Sequence, residues 1–143
     1  MTPSPRRVLL AYLVALAAFL LLDACWLGFM GPHLYRPALR ALMADDIDWL
    51  AAGLFYPVYL LGLLVFAIVP ALQRGHPLAA LRRGALLGCV AYATYDLTNQ
   101  ASLRGWPWAV TLADLAWGTA ASGAAAWAAA RLTSPPARRR SAR

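Results

Sequence analysis

Residues 8–30, VLLAYLVALAAFLLLDACWLGFM, form an apolar run with a single charged member, Asp23. About 20 apolar residues are enough for a helix to cross the hydrocarbon core of a bilayer, so this run predicts a membrane-spanning helix. A carboxylate at membrane depth costs several kcal/mol unless it is paired, hydrated or protonated. Asp23 therefore indicates an internal polar site as well as a span.

Three further apolar runs follow, and the chain as a whole has the composition of an integral membrane protein. Of its 143 residues, 62% are hydrophobic and only 13% are charged. We predict an all-α integral membrane protein with one domain, residues 1–132, folded as a four-transmembrane-helix bundle. The predicted spans are about 8–30, 49–72, 84–103 and 107–132. Residues 133–143, basic and rich in Pro and Arg, are predicted to form a disordered cytoplasmic tail.

The distribution of arginine sets the predicted orientation. All 13 basic residues are Arg, and all but three lie near the two termini or between the second and third spans. The exceptions are Arg36, Arg40 and Arg104. Because Arg accumulates on the cytoplasmic side of membrane proteins, both termini are predicted to be cytoplasmic. The same rule accounts for the net charge of +7, so we expect no nucleic-acid partner.

Three aspartates lie within the predicted spans, namely Asp23, Asp96 and Asp114. At 1.5 Å per helical residue, they lie roughly 24, 20 and 25 Å from the nearest arginine on the basic side. This places them at nearly one level, in the outer half of the bilayer. We expect one polar site, in which the three aspartates are candidate acid/base groups or proton carriers. Carboxylates close together at low dielectric cannot all stay ionised, so at least one would be protonated at neutral pH.

The polar and aromatic residues near the aspartates lie on the same helix faces as the aspartates, which indicates that they belong to one site. The motif D-x-x-W occurs twice, at Asp23/Trp26 and at Asp114/Trp117, on helices that run in opposite directions. Such a pattern is a weak indication of an inverted repeat, which builds midplane sites in some transporters. The predicted ligand-binding residues share faces or depth with the aspartates: Asn99, Tyr95, Tyr92, Tyr56, Tyr59, Trp26, Trp117 and Thr111.

Metal and cofactor chemistry finds little support in the sequence. His33 and His76 both lie in connections, and the chain has no Glu and no Gly-rich phosphate loop. Sites for haem or for two iron ions use His or Glu inside the helices. We therefore predict no metal site and no cofactor.

The run YATYDLTNQASLRGW at 92–106, followed by D-x-x-W-G at 114–118, resembles domain-of-unknown-function family 2177. The resemblance extends to Asp23 with Trp26, to Tyr35 and to the run FYPVYLLG at 55–62, and it covers nearly the whole chain. It implies an uncharacterised four-span, multi-pass protein of the bacterial inner (cytoplasmic) membrane. It implies no activity.

Three functions remain open at the level of sequence. The first is a pocket in the outer half of the bilayer that binds or modifies a membrane lipid or a small amphipathic ligand, as an enzyme or as an accessory to one. The second is a small proton-coupled exporter that acts as a dimer. The third is a structural or assembly protein whose aspartates only pair helices. Small residues at Gly84, Gly88 and Gly118 would allow close helix packing, within one chain or in a homodimer.

Overall fold

The computed structural model describes residues 2–134, which form four antiparallel helices and no strand. Helix α1 spans Pro5–Leu39, α2 spans Trp49–Arg74, α3 spans Pro77–Ser102 and α4 spans Trp108–Thr133. The all-α prediction is confirmed for this part of the chain. Of the predicted cytoplasmic tail, residues 135–143 lie outside the described residues.

Helix α1 continues well beyond the apolar run from which we predicted it. It is α-helical over Pro5–Met30, passes through a turn of π-helix at Gly31–Tyr35 and ends with Arg36–Leu39. Pro32 has no backbone N–H to donate, and a wider π-helical turn accommodates a residue that cannot complete the regular hydrogen-bond ladder. The predicted span ended at residue 30, so the extension places Tyr35 on α1 rather than in a loop.

Helix α2 has a defined start, a second π-helical turn and a defined end. Asp48 caps its first turn, because the side chain accepts the backbone N–H groups of Leu50 and Ala51, both at 3.0 Å. The helix passes through a π-helical turn at Leu64–Ile68. It ends at Gly75, whose φ of 68° lies in the left-handed region that favours glycine.

Helices α3 and α4 make the closest helix pair of the bundle, because glycines allow their backbones to touch. A Cβ atom added at Gly84 would lie 2.7 Å from the Cβ of Ala126. One added at Gly88 would overlap the backbone of Gly118, which in turn faces the ring of Tyr92. These small-residue faces therefore meet within one chain. A homodimer through such faces stays a prediction.

The four helices form a ring in the order α1, α2, α3, α4, with α4 also packed against α1. Helices α1 and α2 are each long and apolar enough to cross a membrane. Helices α3 and α4 have 26 residues each, about 39 Å at 1.5 Å per residue, but they carry more polar residues. Large apolar side chains also face outward: Leu21 is 69% exposed and Val58 is 68% exposed, as expected for surfaces in contact with lipid.

The glycine contact between α3 and α4 gives the first testable prediction. Gly88→Ala should lower the free energy of unfolding by about 1–3 kcal/mol, because the new methyl group forces the two backbones apart. Gly28→Ala is the matched control, since Gly28 is also helical but has no atom within 4 Å of the added Cβ. Denaturant unfolding of both variants in detergent micelles measures the difference. Equal stabilities of the two variants would contradict this packing.

Candidate functional site

The two D-x-x-W motifs come together at one place between α1 and α4. The indole rings of Trp26 and Trp117 stack in parallel, with centroids 4.5 Å apart and planes 4° from each other. A stacked aromatic pair contributes about 0.5–1.5 kcal/mol beyond its buried area. The stack therefore fixes the relative position of the two motifs.

Asp23 joins three helices through its two carboxylate oxygens. The Tyr56 hydroxyl of α2 donates to Oδ2 at 2.7 Å, and Trp117 Nε1 of α4 donates to Oδ1 at 3.1 Å. Asp23 itself is buried, with 7% of its surface exposed. Both oxygens thus have a partner, as a buried carboxylate requires. Trp117 of the second motif thus donates a hydrogen bond to Asp23 of the first motif.

Asp114 is held in a similar way from the extended end of α1. The hydroxyl of Tyr35 donates to Oδ1 of Asp114, and Trp26 Nε1 donates to the Tyr35 hydroxyl at 2.7 Å. The tryptophan of the first motif therefore supports the aspartate of the second through one tyrosine. We call these six residues the Asp–Trp network: Asp23, Trp26, Tyr35, Tyr56, Asp114 and Trp117.

Two adjacent cavities adjoin the Asp–Trp network. The first, of about 290 Å³, is lined by all six network residues together with aromatic side chains from α2 and α3. The second, of about 330 Å³, lies between α2 and α3. Both are lined by Phe55, Tyr92, Tyr95 and Asp114, so we treat them as one cleft.

The cleft opens sideways, between α2 and α3. Phe55 of α2 is 43% exposed and Tyr95 of α3 is 58% exposed at its rim. Helix α2 packs closely on α3 through Leu64–Ile68 but much less over Trp49–Leu63. The two helices thus separate toward the end that carries the aspartates, and the separation forms the opening.

Asp96 is buried apart from this cleft. It is fully inaccessible, and neither of its carboxylate oxygens has a hydrogen-bond partner among the described residues. Tyr92 lies against Gly118, and Gln100 bonds Thr111. This antiparallel register sets Asp96 at the level of Asp114. It lines neither cavity, and an unpaired buried carboxyl group costs free energy.

The remaining predicted residues divide between the cleft and its surroundings. Tyr59 lines the second cavity and shares a hydrogen bond of 2.6 Å with Ser122. Thr111 lies outside both cavities, where it accepts a hydrogen bond from Trp106 Nε1 at 3.1 Å. Asn99 is half-buried, lines neither cavity and has no side-chain hydrogen bond within residues 2–134.

The residues of the cleft that were not among the predicted site residues are Leu27, Tyr35, Leu39, Phe55, Ala91 and Trp106. Two of them, Tyr35 and Trp106, carry polar groups that form hydrogen bonds at the site. Tyr35 lay beyond the predicted end of the first span, although it belongs to the residues that carry the family resemblance. Trp106 lies in the connection before α4, a position typical of tryptophans at the membrane interface. In the structure it is only 8% exposed and lines the first cavity. The indole of Trp106 makes a T-shaped contact with the ring of Tyr95 and donates a hydrogen bond to Thr111, and both contacts hold it against the bundle.

The site offers carboxylates and phenols rather than a metal-binding set. Across residues 2–134, no group of three or more His, Cys, Asp or Glu side chains is placed to hold a metal ion. The carboxyl groups that line the cleft can accept hydrogen bonds, carry charge and transfer protons beside aromatic walls.

Asp23→Asn tests the role of the Asp–Trp network in stability. The amide offers one acceptor oxygen to two donors, so the free energy of unfolding should fall by about 1–3 kcal/mol. Asp45→Asn, in the exposed connection between α1 and α2, should change it by less than about 0.5 kcal/mol. Unfolding of both variants in detergent micelles measures the difference. A fully stable Asp23→Asn protein would show that the network does not hold the helices together.

Comparisons with known proteins place the chain in a family. No curated protein and no solved structure matches it. The sequence model of the family described as "Predicted membrane protein (DUF2177)" matches residues 8–131, which include all four helices up to the last turn of α4. A location in a membrane follows from this description and from the two apolar helices α1 and α2. The chain therefore belongs to the DUF2177 family of predicted membrane proteins.

Proposed function

We propose that this chain is a four-span protein of the bacterial inner membrane, with both termini in the cytoplasm, whose cleft binds a lipid-like or small amphipathic molecule. The observation that carries the proposal is the cleft itself. It sets the carboxylate of Asp114 against aromatic walls and opens toward the lipid-facing side of the bundle.

The four-span topology is supported by the shape of the bundle and by its arginines. All four helices are long enough to cross a core of about 30 Å, and each packs antiparallel to its neighbours. One end of the bundle carries Arg6, Arg7, Arg74, Arg82, Arg83 and Arg131. Under the positive-inside rule this is the cytoplasmic end, and the aspartates then lie toward the outer leaflet.

The composition of the cleft favours an amphipathic ligand. Small-molecule sites are mostly apolar and aromatic, with a few polar groups that fix orientation, and they have volumes of about 300–1,000 Å³. Here the apolar part of a ligand would lie along Phe55, Tyr59 and Tyr92. Its polar end would reach Asp114, the carboxylate that lines both cavities. A ligand group that donates hydrogen bonds, such as a hydroxyl or an ammonium, complements a carboxylate.

The hydrogen bonds support different roles for Asp23 and Asp114. Both oxygens of Asp23 are occupied by protein donors, so Asp23 positions the helices. Only Oδ1 of Asp114 accepts a hydrogen bond from a described residue, the one from Tyr35. Oδ2 is left for a ligand. If the ligand is modified rather than only bound, Asp114 is the group placed to act as general acid or base, with Tyr35 orienting it.

The lateral opening explains how such a ligand would enter. A molecule dissolved in the bilayer reaches the gap between α2 and α3 without crossing water, and the exposed rings of Phe55 and Tyr95 border its path. A water-soluble substrate would instead need an opening at the end of the bundle. The geometry therefore supports a ligand that partitions into lipid.

Asp114→Asn separates ligand binding from helix pairing. We expect wild-type protein purified in mild detergent to retain one amphipathic species in excess of bulk lipid. Asp114→Asn should lose at least about 90% of it, because a hydrogen bond to a charged group contributes about 1.5–3 kcal/mol. The amide keeps an oxygen for Tyr35, so stability should change little. Mass spectrometry of co-purified lipids and thermal unfolding measure the two effects, with Asp46→Asn, in the exposed connection, as the control.

Other outcomes would assign the aspartates a different function. Wild-type protein that carries only bulk lipid and binds no added amphiphile would refute the proposal. Loss of folded protein in Asp114→Asn, without a retained ligand in the wild type, would indicate a purely structural role. Proton release when small organic cations are added would instead support the proton-coupled exporter.

A further inference from the structure

A second cavity system lies at the opposite end of the bundle from the aspartates. A cavity of about 410 Å³ surrounds the short connection between α2 and α3. It is lined by Arg74 from the last turn of α2, by His76 in the connection, and by Arg82 and Arg83 from the second turn of α3. Three arginine residues from two helices therefore line one space, which we call the arginine cavity.

These arginines have no acidic partner in the described part of the chain. Three of the six acidic residues lie in the connection between α1 and α2, at the other end of the bundle. The nearest acid on α3 is Asp96, 13 residues beyond Arg83 and thus about 20 Å away. Within residues 2–134 the side chain of Arg83 donates one hydrogen bond, a long one of 3.5 Å, to the carbonyl oxygen of Phe66. These positive charges are therefore available to an external anion.

An apolar groove continues from the arginine cavity along the outside of the bundle. It has a volume of about 540 Å³ and is lined by Phe66 of α2 and by Leu86, Leu87 and Val90 of α3. Arg83 lines both spaces. From Arg83 to Val90 the groove follows α3 for about 10 Å. Leu86 and Phe66 are 67% and 64% exposed, so the groove faces lipid.

We propose that the arginine cavity and its groove form a docking site for an anionic glycerophospholipid of the surrounding membrane. The phosphate and any further negative charge of the headgroup would be held by Arg74, Arg82 and Arg83, and the upper part of an acyl chain would lie in the groove. Basic pockets between membrane helices are suited to anionic headgroups, and guanidinium groups bind phosphate oxygens in pairs.

The arrangement goes beyond what membrane topology requires. A topology signal needs arginines near the end of a span, without regard to their direction. It does not require three of them to meet at one cavity, or one of them to border an apolar groove. A free phosphate ion would be satisfied by the arginine cavity alone and would leave the groove without a role. The combination favours an anion that carries its own hydrocarbon chain.

This site is separate from the cleft of the proposed function. It shares none of its lining residues with the two cavities beside the Asp–Trp network. A change that removes the phospholipid should leave ligand retention by the cleft intact, and Asp114→Asn should leave the phospholipid bound. The two proposals can therefore fail independently.

Native mass spectrometry of the full-length protein in detergent micelles tests the proposal. The probes are phosphatidylglycerol and phosphatidylcholine with identical acyl chains, added in equal amounts. We expect one phosphatidylglycerol per chain, bound at least about tenfold more tightly than phosphatidylcholine. The double variant Arg82→Gln/Arg83→Gln should lose this preference. The double variant Arg6→Gln/Arg7→Gln, which removes the same two charges from the same end of the bundle without touching the arginine cavity, should keep it.

Three different results would contradict the proposed phospholipid site. Equal binding of the two lipids by wild-type protein would refute the site without relying on any variant. If Arg82→Gln/Arg83→Gln still preferred phosphatidylglycerol to phosphatidylcholine, these two arginines would not form the lipid site. Displacement of bound phosphatidylglycerol by inorganic phosphate would assign the cavity to a free anion and overturn the lipid assignment. The double lysine variant, Arg82→Lys/Arg83→Lys, should retain most of the preference, because it keeps the charge.

Discussion

To stay ionised, a carboxylate enclosed by helices requires hydrogen-bond donors from side chains, because the backbone N–H groups around it are already used within the helices. In this bundle Asp23 meets that requirement with donors from two other helices, Tyr56 of α2 and Trp117 of α4. Asp114 meets it with Tyr35 of α1, itself held by Trp26. Each D-x-x-W motif thus supports the aspartate of the other, and the stacked indoles fix the pair. The cleft exists because this network fixes α1, α2 and α4 while α2 and α3 diverge.

The three intramembrane aspartates are alike in sequence but differ in their surroundings. Asp23 is saturated by donors, Asp114 keeps one oxygen toward the cleft, and Asp96 is sealed without a partner. Under the proposed function, such differences would separate a positioning group from a group that contacts the ligand. The ends of the bundle also differ: six of the described arginines lie at one end, and the other end carries the aspartates together with Arg36, Arg40 and Arg104. The two proposed sites would therefore be chemically opposite, one toward each end of the bundle.

Much of this could be predicted from hydropathy and helical phase. The four helices, the common level of the aspartates and the inclusion of Trp26 and Trp117 in one site follow from hydropathy and from the 3.6-residue period of a helix. The direct stacking of the two indoles was not predicted. Tyr35 could not be assigned to the site, because the π-helical turn at Gly31–Tyr35 carries α1 past the end of its apolar run. The separation of Asp96 from the cleft could not be predicted either. It depends on which neighbouring helix covers the face that carries Asp96, and the helical phase of one helix does not determine how its neighbours pack.

The central claim is that the two D-x-x-W motifs support each other across α1 and α4. A double-mutant cycle with Asp23→Ala and Trp117→Phe, read as free energies of unfolding in detergent micelles, tests it most directly. The account predicts a coupling energy of about 1 kcal/mol or more, because both variants remove the same hydrogen bond. A parallel cycle of Trp117→Phe with Asp45→Asn should be additive. Additivity in the Asp23 cycle as well would contradict the account.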